Sequence, residues 1–152
     1  YELRPSVLRR EGLVRALAHR LETVEKRAGV ETLFSVEGEL NLTPALEEQI
    51  YHVVQEALNN ALKHAAATAV SVRIVGDGGL RVEVEDNGVG FDVAQLDEAS
   101  GIGLSTMRER VESLGGRLSL TSVPGHGTRV LIALPQTSAV AGGSTEADDG
   151  YR

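Results

Sequence analysis

The sequence predicts an α/β (α+β) fold, a two-layer sandwich with a mixed, mostly antiparallel sheet covered on one face by helices. Three observations carry this. Two pairs of segments alternate apolar and polar residues with the period of a strand, each pair joined by a short glycine-containing turn. Three further segments repeat their apolar residues with the period of a helix. The chain of 152 residues, 41% hydrophobic, suits one sizeable core, so those elements must share it.

Along the chain, Leu8, Leu13, Val14, Leu17, Leu21 and Val24 predict an amphipathic helix from Val7 to about Ala28 that needs a partner face. Val30 to Val36 reads as a short strand. Thr43-Pro44 is a helix start, an N-cap followed by proline at the first helical position, and that helix should run to about Ala65. Val70, Val72 and Ile74, then Gly76-Asp77-Gly78-Gly79, then Leu80, Val82 and Val84 make a hairpin. Leu104, Met107, Val111 and Leu114 have helical spacing and stop at Gly115-Gly116. Leu118 to Ser122 and Thr128 to Leu134 form the second strand pair around Pro124-Gly125-His126-Gly127. Residues 136–152 are small, polar and aperiodic, and are expected to be a disordered tail.

Composition excludes several classes of function. There is no cysteine, hence no disulfide framework and no thiolate metal site. No apolar run approaches the roughly 18 residues that span a bilayer, so no direct membrane contact is expected. The net charge of −7 divides into +3 over residues 1–30 and −10 over the remainder, seven basic against four acidic residues and then eight against eighteen. A body of that sign lacks the clustered Lys and Arg that nucleic acid binding requires.

Four places concentrate chemistry. On the helix Gln55-Glu56-Ala57-Leu58-Asn59-Asn60-Ala61-Leu62-Lys63-His64-Ala65, Glu56, Asn60 and either Lys63 or His64 stack away from the apolar face. A carboxylate one turn from an amide can order water around Mg²⁺, with Lys63 or His64 meeting phosphate oxygens; a solvated helix face with routine polar pairs explains the same residues. Asp86-Asn87-Gly88-Val89-Gly90-Phe91-Asp92 follows a strand directly. Asp86 can accept from an exocyclic amine while Gly88 and Gly90 permit close backbone approach, although a plain glycine turn fits equally; an EF-hand does not, because Ala94 stands where a bidentate glutamate belongs. Ser100-Gly101-Ile102-Gly103-Leu104-Ser105 opens a helix, whose free N–H groups favour anions. No strand immediately precedes it and a third glycine is missing, which makes it a poor dinucleotide fingerprint, and the chain has no Walker A sequence. Gly125-His126-Gly127-Thr128 is a hairpin turn whose threonine can also reach a base pocket.

Taken together over residues 43–134, these four segments resemble the N, G1 and G2 boxes and terminal glycine-threonine element of the ATPase superfamily shared by histidine kinases, type II topoisomerases, mismatch-repair proteins and a heat-shock chaperone. Gln-Glu-Ala-Leu-Asn-Asn-Ala-Leu-Lys-His-Ala and Gly-Ile-Gly-Leu-Ser-Thr-Met-Arg-Glu-Arg-Val are most similar to the sensor histidine kinases paired with NarL-type response regulators, and Leu3-Arg4-Pro5 with Gly12-Leu13 and Ala16-Leu17 resembles the end of their dimerisation region.

The resemblance implies a Bergerat-type ATP-binding fold with ATP and Mg²⁺ as cofactors. Asn60 would coordinate Mg²⁺ and Glu56 would assist phosphoryl transfer. Lys63 and His64 would lie near phosphates, and Asp86 would bind the adenine amino group in a pocket shaped by Gly88 and Gly90. Gly101, Gly103 and Leu104 would belong to a phosphate-side lid, mobile without nucleotide, and Thr128 would support the adenine end. It further implies an end of a dimerisation helix plus linker over 1–28, a catalytic domain over 29–135, and a cytoplasmic location, with the full-length protein open to a membrane anchor. The partners would be the protein's own phosphoacceptor domain and a response regulator, the full-length protein forming a homodimer and this stretch a monomer.

The sequence departs from the pattern at the acceptor. None of His19, His52, His64 and His126 sits in the phosphoacceptor context, and there is no phenylalanine-rich box between the glycine boxes. An anti-sigma-type serine kinase and a catalytically silent protein-interaction module remain the alternatives.

Overall fold

A computed structural model of the chain describes residues 6–95 and 103–135. The expected tail at 136–152, the Leu3-Arg4-Pro5 leader and Gly101 lie outside the described residues. In chain order the elements are helix α1 (Ser6–Ala28), strand β1 (Glu31–Gly38), helix α2 (Pro44–Lys63), strands β2 (Ala69–Gly76) and β3 (Leu80–Asp86), a 3₁₀ turn at Val93–Gln95, helix α3 (Leu104–Ser113), and strands β4 (Arg117–Ser122) and β5 (Thr128–Leu134).

One sheet contains all five strands in the order β1-β2-β3-β5-β4. β1 and β2 pair in parallel, and every other neighbouring pair is antiparallel. A parallel pair cannot be joined by a tight turn, and α2 provides the crossover between β1 and β2. As expected, Thr43 caps α2: its Oγ1 accepts from the Leu46 N–H at 3.1 Å, with Pro44 at the start of the helix.

The register aligns the inner face into ranks of cross-strand partners. Phe34, Val72, Val84, Val130 and Leu120 form one rank, and Val36, Ile74, Val82, Ile132 and Leu118 form the next. Against these ranks lie Ile50, Val54 and Leu58 of α2 and Met107 and Val111 of α3, all of them buried. The opposite face is mostly polar, with Leu33, Val75 and Leu131 among its apolar members, and carries cross-strand ion pairs, Glu37 with Arg73 at 3.2 Å and Glu83 with Arg129.

The partner of α1 lies within this chain. Leu8, Leu13, Ala16, Leu17, Leu21 and Val24 are buried in the same core as α2 and the sheet, while Val14 stays exposed at 36%. Arg20 Nε donates to Gln55 Oε1 at 2.7 Å and ties the two helices at their rim. The helical path breaks at Gly12, whose φ of 87° and ψ of 175° are not helical, and buried residues stand on both sides of the break, Leu8 before it and Leu13 after it.

Truncation of Leu17, fully buried in α1, tests this continuity. Leu17→Ala is expected to lower the unfolding free energy by about 2–5 kcal/mol in urea titration, the cost of a large-to-small change in a close-packed core. A loss below about 1 kcal/mol would mean that α1 stands apart from that core.

Candidate functional site

The next rank of the sheet's inner face breaks the apolar pattern. Val70 is followed across the sheet by Asp86, Thr128 and Ser122, which are direct register partners on β3, β5 and β4. Side chains of opposed partners point to the same face, so an acid and two hydroxyls stand in a row where the core would otherwise continue.

Above this row lies a cavity of about 220 Å³. Its walls include Asn60 and His64 from α2, Asp86, Gly90 and Phe91 from the end of β3 and the loop after it, Leu104 and Met107 from α3, and Thr128. That volume falls below the roughly 300–1,000 Å³ of a pocket enclosing a whole ligand, and suits one compact part of a longer molecule.

Local chemistry explains why the loop after β3 closes one side. The Val89 N–H donates to the Ala65 carbonyl at 2.8 Å, and the Gly125 N–H donates to the Val89 carbonyl at 2.6 Å, so the loop spans from the end of α2 to the β4–β5 turn. A Cβ on Gly88 would lie 2.4 Å from the Ala65 carbonyl oxygen, and one on Gly90, at φ 68°, would lie 2.3 Å from that of Val123. Neither position has room for a side chain. Asn87 Oδ1 accepts from the Thr68 and Ala69 N–H groups, each at 2.9 Å, and its Nδ2 donates to Thr68 Oγ1 at 2.9 Å. Asn87 thus clamps the α2–β2 connection beneath the cavity.

Asp86 is half-buried. Its Oδ1 accepts from the Gly88 N–H at 2.7 Å, and the Thr128 backbone N–H also bonds it. Burial raises its pKa above the usual carboxylate range, outweighing the two N–H groups that favour the ionised form. An acid held this way can accept from a buried donor, as the amine of a heterocycle would offer.

Of the site residues expected from sequence, Asn60, His64, Asp86, Gly90, Leu104 and Thr128 converge on the cavity, and Gly88 packs against Ala65 of its wall. Lys63 is exposed and does not line it. Glu56 is placed elsewhere: a Cβ on Gly103 would fall 2.3 Å from Glu56 Oε2, so this carboxylate packs against the residue that opens α3. A negative charge is favourable there, since the first turn of α3 has unpaired N–H groups. Ser122 and Asn87 received no role from sequence. Asn87 sits in a turn-like segment where asparagine is ordinary, Ser122 ends a strand where a serine draws no notice, and only the strand register reveals it.

Among the described residues no cluster of three or more His, Cys, Asp or Glu side chains could hold a metal ion. A cation here would have to be shared between Asn60 and a ligand that brings its own oxygens, as Mg²⁺ is with phosphates.

Residues 45–138 match the family of histidine kinase-, DNA gyrase B- and HSP90-like ATPases. Sensor histidine kinase LiaS of Bacillus subtilis is 33% identical over 134 residues, 88% of this chain and 37% of that protein. Oxygen sensor histidine kinase NreB of Staphylococcus carnosus is 37% identical over 141 residues, 90% of this chain and 40% of that protein. The chain therefore spans well under half the length of these relatives. The ATP-binding domain of PrrB from Mycobacterium tuberculosis shares the fold at a TM-score of 0.65 and 23% identity, covering 81% of this chain and 90% of that one. The histidine kinase domain of a blue-light-activated kinase from Erythrobacter litoralis superposes at 0.60 with 26% identity, covering 84% of this chain and 66% of that one.

The buried acid gives a pH signature. Because the folded chain holds the Asp86 proton to higher pH than the unfolded chain, the folded state binds more protons between the two values, and stability falls as pH rises through that window. Relative to Asp86→Asn, the parent should lose unfolding free energy from about pH 4 upward, where carboxylates of ordinary pKa ionise. A stability difference that stays flat with pH would contradict the burial of the charge.

Proposed function

Because the chain belongs to the histidine kinase-, DNA gyrase B- and HSP90-like ATPase family, a family of ATP-binding domains, we propose that it is the catalytic domain of a sensor histidine kinase. In this reading it transfers the γ-phosphoryl group of ATP to a histidine on a dimerisation domain, for relay to an aspartate of a response regulator. The observation that carries the reading is the convergence of Asn60, His64, Asp86, Gly90, Leu104 and Thr128, from segments far apart in the chain, on one cavity with an acid at its floor.

The adenine would enter the cavity with its amino group toward Asp86 and Thr128, the apolar walls of Val84, Leu120 and Met107 covering its faces. The triphosphate would leave toward His64, Lys63 and the start of α3, where the charge of the basic groups and the helix dipole favour it. Asn60 would hold Mg²⁺ against phosphate oxygens, and the metal would neutralise their charge. Glu56, one turn earlier on α2, would orient the incoming imidazole. Its nitrogen takes the γ-phosphorus as the bond to the β–γ bridging oxygen breaks, and ADP leaves; the protein's contribution is position and electrostatics. Residues 1–28 would join this domain to the dimerisation region of a homodimer, with α1 docked as the last part of that join. No helix among the described residues is long and apolar enough to cross a membrane, and a cytoplasmic location fits a domain that uses ATP.

Calorimetric titration separates the parts of this reading. The parent should bind ADP and a non-hydrolysable ATP analogue, Asp86→Asn should weaken both, and Asn60→Asp should alter the Mg²⁺ dependence. Glu56→Gln should keep nucleotide affinity while slowing phosphotransfer to a supplied phosphoacceptor domain by about 10²–10⁴-fold, the usual size of an acid–base or positioning contribution. A folded parent that binds no nucleotide would overturn the reading in favour of a silent interaction module.

A further inference from the structure

One buried group in the site has no part in that account. Ser122, 9% exposed at the end of β4, touches three partners. Its Oγ accepts from the Phe91 N–H at 2.9 Å, donates to the Gly127 carbonyl at 3.0 Å, and lies 2.9 Å from Thr128 Oγ1. Phe91 and Thr128 both line the cavity.

Proton counting fixes the direction of the third bond. A serine hydroxyl has one proton and two lone pairs. The Phe91 N–H can only donate, and the Gly127 carbonyl can only accept. With the serine proton on Gly127, the remaining lone pair of Ser122 must receive the Thr128 proton, and all three bonds are made. The opposite choice, Ser122 donating to Thr128, forfeits the bond to the carbonyl of buried Gly127.

We propose that Ser122 is a positioning residue for nucleotide choice: by taking the proton of the Thr128 hydroxyl, it leaves only that hydroxyl's lone pairs to face the base. This rests on the cavity being the base pocket. Asp86 is the register partner of Thr128 and, as a carboxylate, also accepts only. The floor of the cavity therefore presents two adjacent acceptors. A 6-aminopurine brings the two N–H groups of its amino group to them, whereas a 6-oxopurine puts there a carbonyl whose lone pairs oppose theirs and keeps a single N–H beside it, on N1. Without Ser122, the Thr128 hydroxyl is free to turn its proton inward and donate to that carbonyl.

The test measures affinity for ADP and for IDP, its 6-oxo counterpart, in the parent, Ser122→Ala, Thr128→Val and the double variant, with folding checked by thermal melts. The parent should prefer ADP. Ser122→Ala should reduce the ADP/IDP ratio about tenfold, the net worth of roughly one hydrogen bond, by weakening ADP and strengthening IDP. In the Thr128→Val background the serine change should leave the ratio unaltered, because it acts through that hydroxyl. Equal weakening of both nucleotides by Ser122→Ala would make the serine a packing residue only and overturn the proposal while leaving the pocket in place. If Ser122→Ala does not fold, Thr128→Val alone decides, since an unchanged ratio there also overturns it. A parent that binds ADP and IDP equally, or an Asp86→Asn change that leaves the ratio untouched, would instead remove the base-pocket assignment.

Discussion

The inner face of the sheet changes from apolar to polar across a single rank of strand partners, and the site depends on that change. Two ranks of Val, Ile, Leu and Phe are covered by α2 and α3. At the next rank Asp86, Thr128 and Ser122 face the same way, where continued close packing would bury a carboxylate and two hydroxyls without solvent. The cavity above them reconciles the two demands. It leaves Asp86 and Thr128 a volume to face, Ser122 being satisfied by its protein partners, while the apolar ranks alongside keep α2 and α3 seated.

That arrangement also accounts for the firmness of the loop after β3. Asp86 is raised in pKa by burial, yet two backbone N–H groups hold its carboxylate in place. Val89 and Gly125 fasten the loop to α2 on one side and to the β4–β5 turn on the other, and Asn87 fastens the α2–β2 connection below. The acid is thus carried on a hydrogen-bonded frame, which would lower the ordering cost of any ligand bound there. Glu56 differs in kind. It lies against Gly103 at the opening of α3, so a change at the start of α3 reaches the carboxylate directly.

Much of this was legible in the sequence because the signals were periodic or chemically specific. The alternation in Val70–Ile74 and Leu80–Val84 and the cap at Thr43-Pro44 placed their elements to within a few residues. Asp86, Asn60 and Thr128 stood out through sequence context and resemblance. Strand order was not legible. Nothing local tells β5 to insert between β3 and β4, or β1 to pair in parallel with β2. Ser122 was hidden for the same reason, since its meaning comes from facing Thr128 across a five-residue turn. The break at Gly12 was also missed, although the five-residue step from Leu8 to Leu13, longer than the three or four of a helical face, falls there.

The central claim is that a nucleotide occupies the cavity over the polar rank, and amide chemical-shift mapping during titration with ADP tests it most directly. The account predicts shifts concentrated at Asn60–Ala65, Asp86–Phe91, Ser122 and Thr128, with the β2–β3 turn at 77–79 and the edge strand Glu31–Gly38 unmoved. Shifts centred on that turn and edge strand, with the amides around Asp86 unchanged, would place the ligand elsewhere and contradict it.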